Sequence, residues 1–151
     1  MVKLAARYGM PALALTDHGN LYGALEFYKT CVAHNVKPIV GVEAYIANRT
    51  RFDKEPGVDN KRYHLTLLAK NREGYQNLIK LVTLAHLEGY YYKPRMDKDL
   101  LSQHHRGLIC LSGCMGGELG RALMGNQDEV AEAIVRDYQN KIGRASCRER
   151  V

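Results

Sequence analysis

The sequence predicts an α/β fold, because short apolar segments alternate with amphipathic helical segments along the chain. Four continuous apolar runs have the length of buried strands. They occupy residues 12–16, 39–46, 64–69 and 107–112. Helical spacing of apolar residues occurs around them, at residues 1–8, 21–32, 71–86, 97–105, 117–124 and 128–140. This alternation indicates a largely parallel sheet, either open or closed into a barrel.

Local signals set several of the boundaries between these elements. Asn71 stands where a side-chain cap would begin a helix, and Gly89 stands where that helix would end. Residues 48–62 are polar and contain the turn pair Pro56 and Gly57, so they are predicted to form a surface loop. Pro94 excludes a regular helix at residues 90–95, which we expect to be a surface turn with packed aromatic side chains.

Composition narrows the class of protein. The chain has 151 residues, and 46% of them are hydrophobic, which suffices for one globular domain. No apolar run approaches the roughly 20 residues that cross a bilayer, and no signal peptide opens the chain, so we expect a soluble cytoplasmic protein without a membrane partner. Four cysteines are too sparse for a disulfide scaffold and are predicted to be thiols, buried or metal-bound; they are Cys31, Cys110, Cys114 and Cys147.

The formal charge of +6 and the pI near 9.2 are compatible with nucleic-acid binding. However, residues 142–151 resemble the translation of a sequencing adapter and carry three arginines and one glutamate, which leaves +4 on the rest. An ordinary solvated surface explains that charge equally well. We therefore expect one domain at residues 1–141 and a non-native tail at residues 142–151. Because residues 1–8 lack a helix N-cap, the domain is expected to be incomplete at both ends.

Metal-capable side chains accompany all four predicted strands. His18 follows the first strand, Glu43 lies late in the second, and Cys114 follows the fourth, whereas His64 begins the third. Imidazole, carboxylate and thiolate are the usual protein ligands of zinc, and the first two also suit manganese. Spacing alone leaves a structural interpretation open for each. His18 could stabilise a turn, Glu43 could lie on an exposed strand face, His64 could be a solvated strand end, and Cys114 could be a small buried side chain.

Several motifs, in order, are similar to motifs of the PHP domain in bacterial DNA polymerase III alpha subunits. The first is MPALALTDHGNLYG at residues 10–23, and the second is VKPIVGVE at residues 36–43. The others lie at residues 63–69 with 74–78, at residues 91–95 and at residues 111–119. The resemblance extends over about residues 2–125, and an ordered series of motifs is far more specific than any one of them.

This resemblance implies a distorted βα barrel, TIM-like in form, whose rim holds divalent metal ions, zinc or manganese. His18, Glu43, His64 and Cys114 match metal ligands of the family, and Asp17 matches a neighbouring carboxylate that would orient ligands. Such ions neutralise a phosphodiester and activate water, and some members have 3′–5′ exonuclease activity. The resemblance places no catalytic residue within this chain, and the remaining ligands of the family lie outside it.

The resemblance also implies that the parent protein carries out DNA-templated DNA synthesis, with magnesium at a polymerase site that this chain lacks. Expected partners are DNA, deoxynucleotides, a sliding clamp and a proofreading subunit, and the chain alone is expected to be inactive. Two alternatives remain open. One is a nonenzymatic scaffold that docks a proofreading subunit, and the other is a stand-alone phosphoesterase such as a histidinol-phosphate phosphatase.

Overall fold

The computed structural model describes residues 1–142, and within them it confirms the α/β class and every predicted helix and strand. The helices are α1 (Val2–Arg7), α2 (Ala24–Ala33), α3 (Arg72–Leu87), α4 (Lys98–Gln103), α5 (Glu118–Met124) and α6 (Asp128–Ile142). The strands are β1 (Ala12–His18), β2 (Lys37–Ala47), β3 (Arg62–Ala69), β4 (Tyr90–Tyr91), β5 (Lys93–Met96) and β6 (Leu108–Leu111).

The long strand β2 is the centre of the sheet. One of its edges pairs in parallel with β1 and, further along, with β5 at Tyr45 and Ile46. Its other edge pairs with β3, and β6 pairs with the far edge of β3. The strand order is therefore β4, β5, β2, β3, β6, with β1 also beside β2.

The prediction of a largely parallel sheet is wrong for β3, which runs antiparallel to both β2 and β6. The physical reason is the connection before it. A parallel return needs a crossover, usually a helix, and residues 48–61 contain no helix. As a result, the beginning of β3 lies at the same edge of the sheet as the end of β2. Whether the sheet continues into a barrel stays a prediction.

The two faces of the central strands differ sharply. One face packs on α3 and α4 and forms the main core. The side chains of β2 and β3 in that core are Val42, Ala44, Ile46, Leu65 and Leu67. Because strand side chains alternate, the intervening residues point to the other face. They are Glu43, Tyr45, Arg62, His64 and Thr66.

Side-chain caps fix the starts of two helices. The predicted cap of α3 is confirmed, since the side-chain oxygen of Asn71 accepts a hydrogen bond from the backbone N–H of Gly74 at 2.9 Å. Asp97 caps α4 in the same way, since its carboxylate accepts a hydrogen bond from the backbone N–H of Leu100 at 2.8 Å. Asp97 is buried and also accepts hydrogen bonds from Arg51, so the loop after β2 is tied to the start of α4.

Residues 90–95 differ from the predicted surface turn. They form strands β4 and β5, joined at Tyr92, which has a positive φ of 58°. Arg95 is fully buried rather than exposed. Its guanidinium group donates to the backbone oxygens of Gly89 (3.1 Å), Asp59 (2.8 Å), Asp53 (2.8 Å) and Arg51 (3.2 Å). These carbonyls explain how a cation can be buried there without a solvent shell.

Asp59 gives the same loop a second buried anchor. Its carboxylate accepts from Nε of Arg49 at 2.9 Å and from the backbone N–H of Glu55 at 2.8 Å. The hydrogen bonds from Arg49 lower the pKa of Asp59 to about 2. Because the folded-state pKa lies below the unfolded value, this anchor stabilises the fold above the unfolded pKa of about 3.9 and is lost as the pH falls through about 2.

The end of α6 bears on the predicted domain boundary between residues 141 and 142. Ile142, the first residue of the predicted tail, is buried in the main core. The rest of that tail, including Cys147, lies outside the described residues, and the boundary stays a prediction. Within residues 1–142, no helix combines the length and the apolarity that crossing a membrane requires.

Replacing Arg95 with Met should destabilise the domain by at least about 3 kcal/mol, because the carbonyls that Arg95 binds would lose their donors inside the protein. The free energy of unfolding in urea measures this. Arg106→Met, at an exposed arginine, is the matched control and should change stability by less than about 0.5 kcal/mol. Equal stability of the two variants would contradict the anchoring role.

Candidate metal centre

Three strands bring three of the four predicted ligands to one edge of the sheet. His18 is the last residue of β1 and lies opposite Glu43 in the parallel register. His64 lies near the start of β3, opposite Tyr45. Since β3 is reversed, its beginning meets the ends of the other two strands. The position of His64 at a strand start, which set it apart in the sequence, is therefore what places it beside the other two.

Glu43 is held by contacts on β3. Its Oε1 lies 3.6 Å from Nδ1 of His64, and its Oε2 accepts a hydrogen bond from the hydroxyl of Thr66 at 2.7 Å. Its side chain is 14% exposed, so the carboxylate lies at the floor of the site. One carboxylate oxygen is thus fixed by Thr66, while the other faces the imidazole.

Cys114 reaches the same imidazole from the segment after β6. Its sulfur lies 3.9 Å from Nδ1 of His64. The approach depends on Gly113, which has a φ of 80° and whose added Cβ would lie 2.9 Å from the backbone oxygen of His64. A larger residue could not pass so close in this conformation. Cys114 is exposed to solvent, so this side of the site is open.

The aromatic ring of Tyr45 forms a wall beside the two histidines. Its centroid lies 5.3 Å from that of His64 and 6.1 Å from that of His18. The two imidazoles meet edge to face, with centroids 5.7 Å apart. Tyr45 is buried and His18 is exposed, so the site has a buried inner wall and a solvent-accessible imidazole on its outer side.

Asp17 is not brought to this group. It precedes His18 by one residue and therefore points to the opposite face of β1. Its carboxylate accepts a hydrogen bond from the backbone N–H of Gly23 at 3.2 Å, where α2 begins. In the described part of the chain, Asp17 makes no contact that would orient one of the four predicted ligands. Its observed contact instead holds the turn between β1 and α2.

The donor atoms suit a zinc ion in type and in pairwise spacing, and the imidazole and carboxylate donors also suit manganese in type. Zinc–ligand bonds of about 2.0 to 2.3 Å place neighbouring donors of a tetrahedral site about 3.3 to 3.8 Å apart. The distances from His64 to Glu43 and to Cys114, 3.6 and 3.9 Å, lie in or close to this range. Among residues 1–142, no three His, Cys, Asp or Glu side chains already converge into a group that could hold a metal ion. The donors are thus grouped in pairs rather than in a closed cage.

Two residues of the site were missed from the sequence, namely Tyr45 and Thr66. Each lies two positions after a predicted ligand, Glu43 or His64, on the same strand. The period-two alternation of strand side chains was the signal that could have found them, because it places such residues on one face.

The sequence profile of the PHP domain family matches residues 1–147. The DNA polymerase III subunit alpha of Chlamydia trachomatis is 50% identical over 135 residues, covering 89% of this chain and 11% of the relative. The protein of the same name from Thermus aquaticus is 54% identical over 125 residues (82% and 10%), and that from Treponema pallidum is 48% identical over 144 residues (95% and 12%). The chain therefore spans about a tenth of the length of these relatives.

We expect Asp17→Ala to lower the free energy of unfolding by about 1 kcal/mol, because the N–H of Gly23 loses its acceptor. The imidazole NMR signals of His18 and His64 should keep their positions, since Asp17 lies on the other face. Asp17→Asn, which retains an acceptor oxygen, is the control and should recover most of the stability. Displaced imidazole signals in the Ala variant would instead support the orienting role that the sequence predicted.

Proposed function

The chain belongs to the PHP domain family, and from this premise we propose that it is the metal-binding PHP domain of a bacterial replicative DNA polymerase, the DNA polymerase III alpha subunit. One observation carries the proposal. Relatives with that name are 48 to 54% identical to this chain across 82 to 95% of its length. The longer protein would carry out DNA-templated synthesis at a separate magnesium-dependent site, and it would act in the cytoplasm.

The same observation argues against a stand-alone phosphoesterase, because the chain aligns with only about a tenth of each of these much longer relatives. The proposal of a nonenzymatic scaffold is disfavoured by the site itself. All four positions keep side chains that can bind a metal, and the donors of Glu43, His64 and Cys114 lie within 3.9 Å of a neighbouring donor. A domain kept only for docking has no need of such a grouping.

PHP domains are generally metal-dependent, and we assign the ligand role here to His18, Glu43, His64 and Cys114. A bound zinc or manganese ion would supply positive charge that neutralises a phosphodiester. The protein supplies the positions of the donors. The hydroxyl of Thr66 orients Glu43 so that one carboxylate oxygen faces His64, and the ring of Tyr45 packs beside both imidazoles.

The exposed side of the site is formed by His18 and Cys114. A phosphodiester end could approach from this side, which suits a 3′–5′ exonuclease acting on DNA. The rest of the ligand set would come from the longer protein, where the sheet would close into a distorted barrel. DNA, deoxynucleotides, a sliding clamp and a proofreading subunit are the partners that this assignment implies.

The assignment predicts that His18→Ala and Glu43→Ala, made in the longer protein, each reduce the bound zinc or manganese. Each change removes a donor that water replaces poorly. Elemental analysis of the purified variants gives the metal content, and primer extension on the same samples gives the polymerase activity, which should persist. His34→Ala is the control, because His34 lies at the end of α2 and bonds to Thr30.

Unchanged metal content in both variants would refute the ligand assignment while leaving the family assignment intact. Loss of metal in the His34 variant as well would show that the effect is general unfolding. Absence of primer extension by the unmodified longer protein would instead refute the replicative function.

Thr66→Val should weaken metal binding by about tenfold, because Glu43 loses the hydrogen bond that orients it, and such supporting contacts typically contribute 10- to 100-fold. Thr66→Ser retains the hydroxyl and is the matched control, with an affinity close to that of the unmodified protein. Competition with a chromogenic chelator measures both affinities. Equal affinities of the Val and Ser variants would show that the hydrogen bond to Glu43 is not used in metal binding.

A further inference from the structure

Two cationic side chains lie close to the ring of Tyr45, beside the candidate metal centre. The guanidinium carbon of Arg62 lies 5.4 Å from the centroid of the Tyr45 ring, and Nζ of Lys93 lies 6.0 Å from it. The same ring contacts the imidazoles of His18 and His64. Tyr45 is only 7% exposed, so one buried ring lies next to both the cations and the imidazoles.

The sheet places these groups on one face. Arg62 lies two residues before His64 on β3, so both side chains project from the same side. On β5, Lys93 lies two residues before Arg95, which pairs with Tyr45 in the parallel register. Three adjacent strands therefore bring the cations and the candidate ligands to one surface.

Arg62 has an unused donor at this surface. Its Nε is buried and has no hydrogen-bond partner, the one such buried side-chain atom among residues 1–142. Nη1 of the same group donates to the backbone oxygen of Asn60 at 3.0 Å. The buried Nε–H cannot itself meet a ligand that arrives from solvent. Nη2 of the same group has no acceptor in residues 1–142 and is not among the buried atoms, so it is the donor available to an anion.

Neither cation is neutralised by a carboxylate in residues 1–142. The acidic groups of the neighbouring loop are used elsewhere, because Asp59 pairs with Arg49 and Asp97 pairs with Arg51. Glu43 faces His64 and is bonded to Thr66 rather than to either cation. The surface beside the candidate metal centre therefore carries two positive charges that no carboxylate of residues 1–142 compensates.

We propose that Arg62 and Lys93 form an anion subsite that holds the phosphate group of a nucleotide next to the candidate metal centre. A planar guanidinium group with free N–H groups suits phosphate oxygens, and a lysine ammonium adds a second charge. The identity of the ligand as a nucleotide rests on the proposed function, whereas the subsite itself rests on the two cations and the unused Nη2 donor of Arg62. Both residues act by positioning the ligand.

The test uses the complete 151-residue chain, labelled with ¹⁵N and kept metal-free with a chelator. Thymidine 5′-monophosphate is titrated while NMR follows the Nε–H of Arg62 and the backbone amides of Tyr45 and Lys93. These signals should shift and saturate together. Arg62→Gln should weaken binding about tenfold, the usual effect of losing one hydrogen bond to a charged group. Lys93→Gln should weaken it less, because Lys93 is more exposed.

Arg72→Gln and Lys80→Gln are the matched controls, since both residues are exposed on α3, which packs on the opposite face of the sheet. Arg62→Lys retains the charge and should bind with intermediate affinity, which separates ligand contact from a loss of folding. Undiminished binding by Arg62→Gln, or an Nε–H signal that does not move, would overturn the proposal. Because metal is absent, this outcome is independent of the metal content that tests the proposed function.

Discussion

The site depends on the antiparallel pairing of β2 with β3. That pairing covers residues 41–47 of β2 and 62–68 of β3. Because the two strands run in opposite directions, the start of β3 lies beside the end of β2. A parallel β3 would carry His64 at the far edge of the sheet, away from His18 and Glu43. With the reversal, an imidazole at the start of one strand meets a carboxylate near the end of another. The same pairing puts Thr66 against Glu43 and Arg62 near Tyr45.

The reversal is itself stabilised by a buried cation. The loop between β2 and β3 has no helix and would be free to adopt many conformations. Arg95, on β5, donates to three of its carbonyl oxygens, those of Arg51, Asp53 and Asp59. Burying a guanidinium group is unfavourable without such acceptors. The loop therefore supplies the acceptors that Arg95 needs when buried, and Arg95 in turn holds the loop in one conformation. Together they determine where β3 begins.

The sequence predicted the elements well because their signals are local. Apolar runs marked the strands, and the oxygen of Asn71 caps α3 as expected. The direction of β3 relative to β2 was not predicted, because a continuous apolar run is compatible with parallel and antiparallel pairing. The absence of a helix at residues 48–61 was the signal that could have indicated antiparallel pairing. The burial of Arg95 could not be predicted because its acceptors come from separate segments. The resemblance grouped the four predicted ligands, but it also gave Asp17 an orienting role that the alternation of β1 does not support.

The glycine-dependent approach of Cys114 to His64 has a consequence for how the domain folds. These two residues are separated by 50 positions, whereas His18 and Glu43 lie on strands joined by the single helix α2. Contacts between distant positions close large loops and form late, after the local strand pairs. The thiol therefore joins the group only once β6 has docked on β3. The proximity of Cys114 to His64 therefore marks a chain in which β6 has already docked on β3.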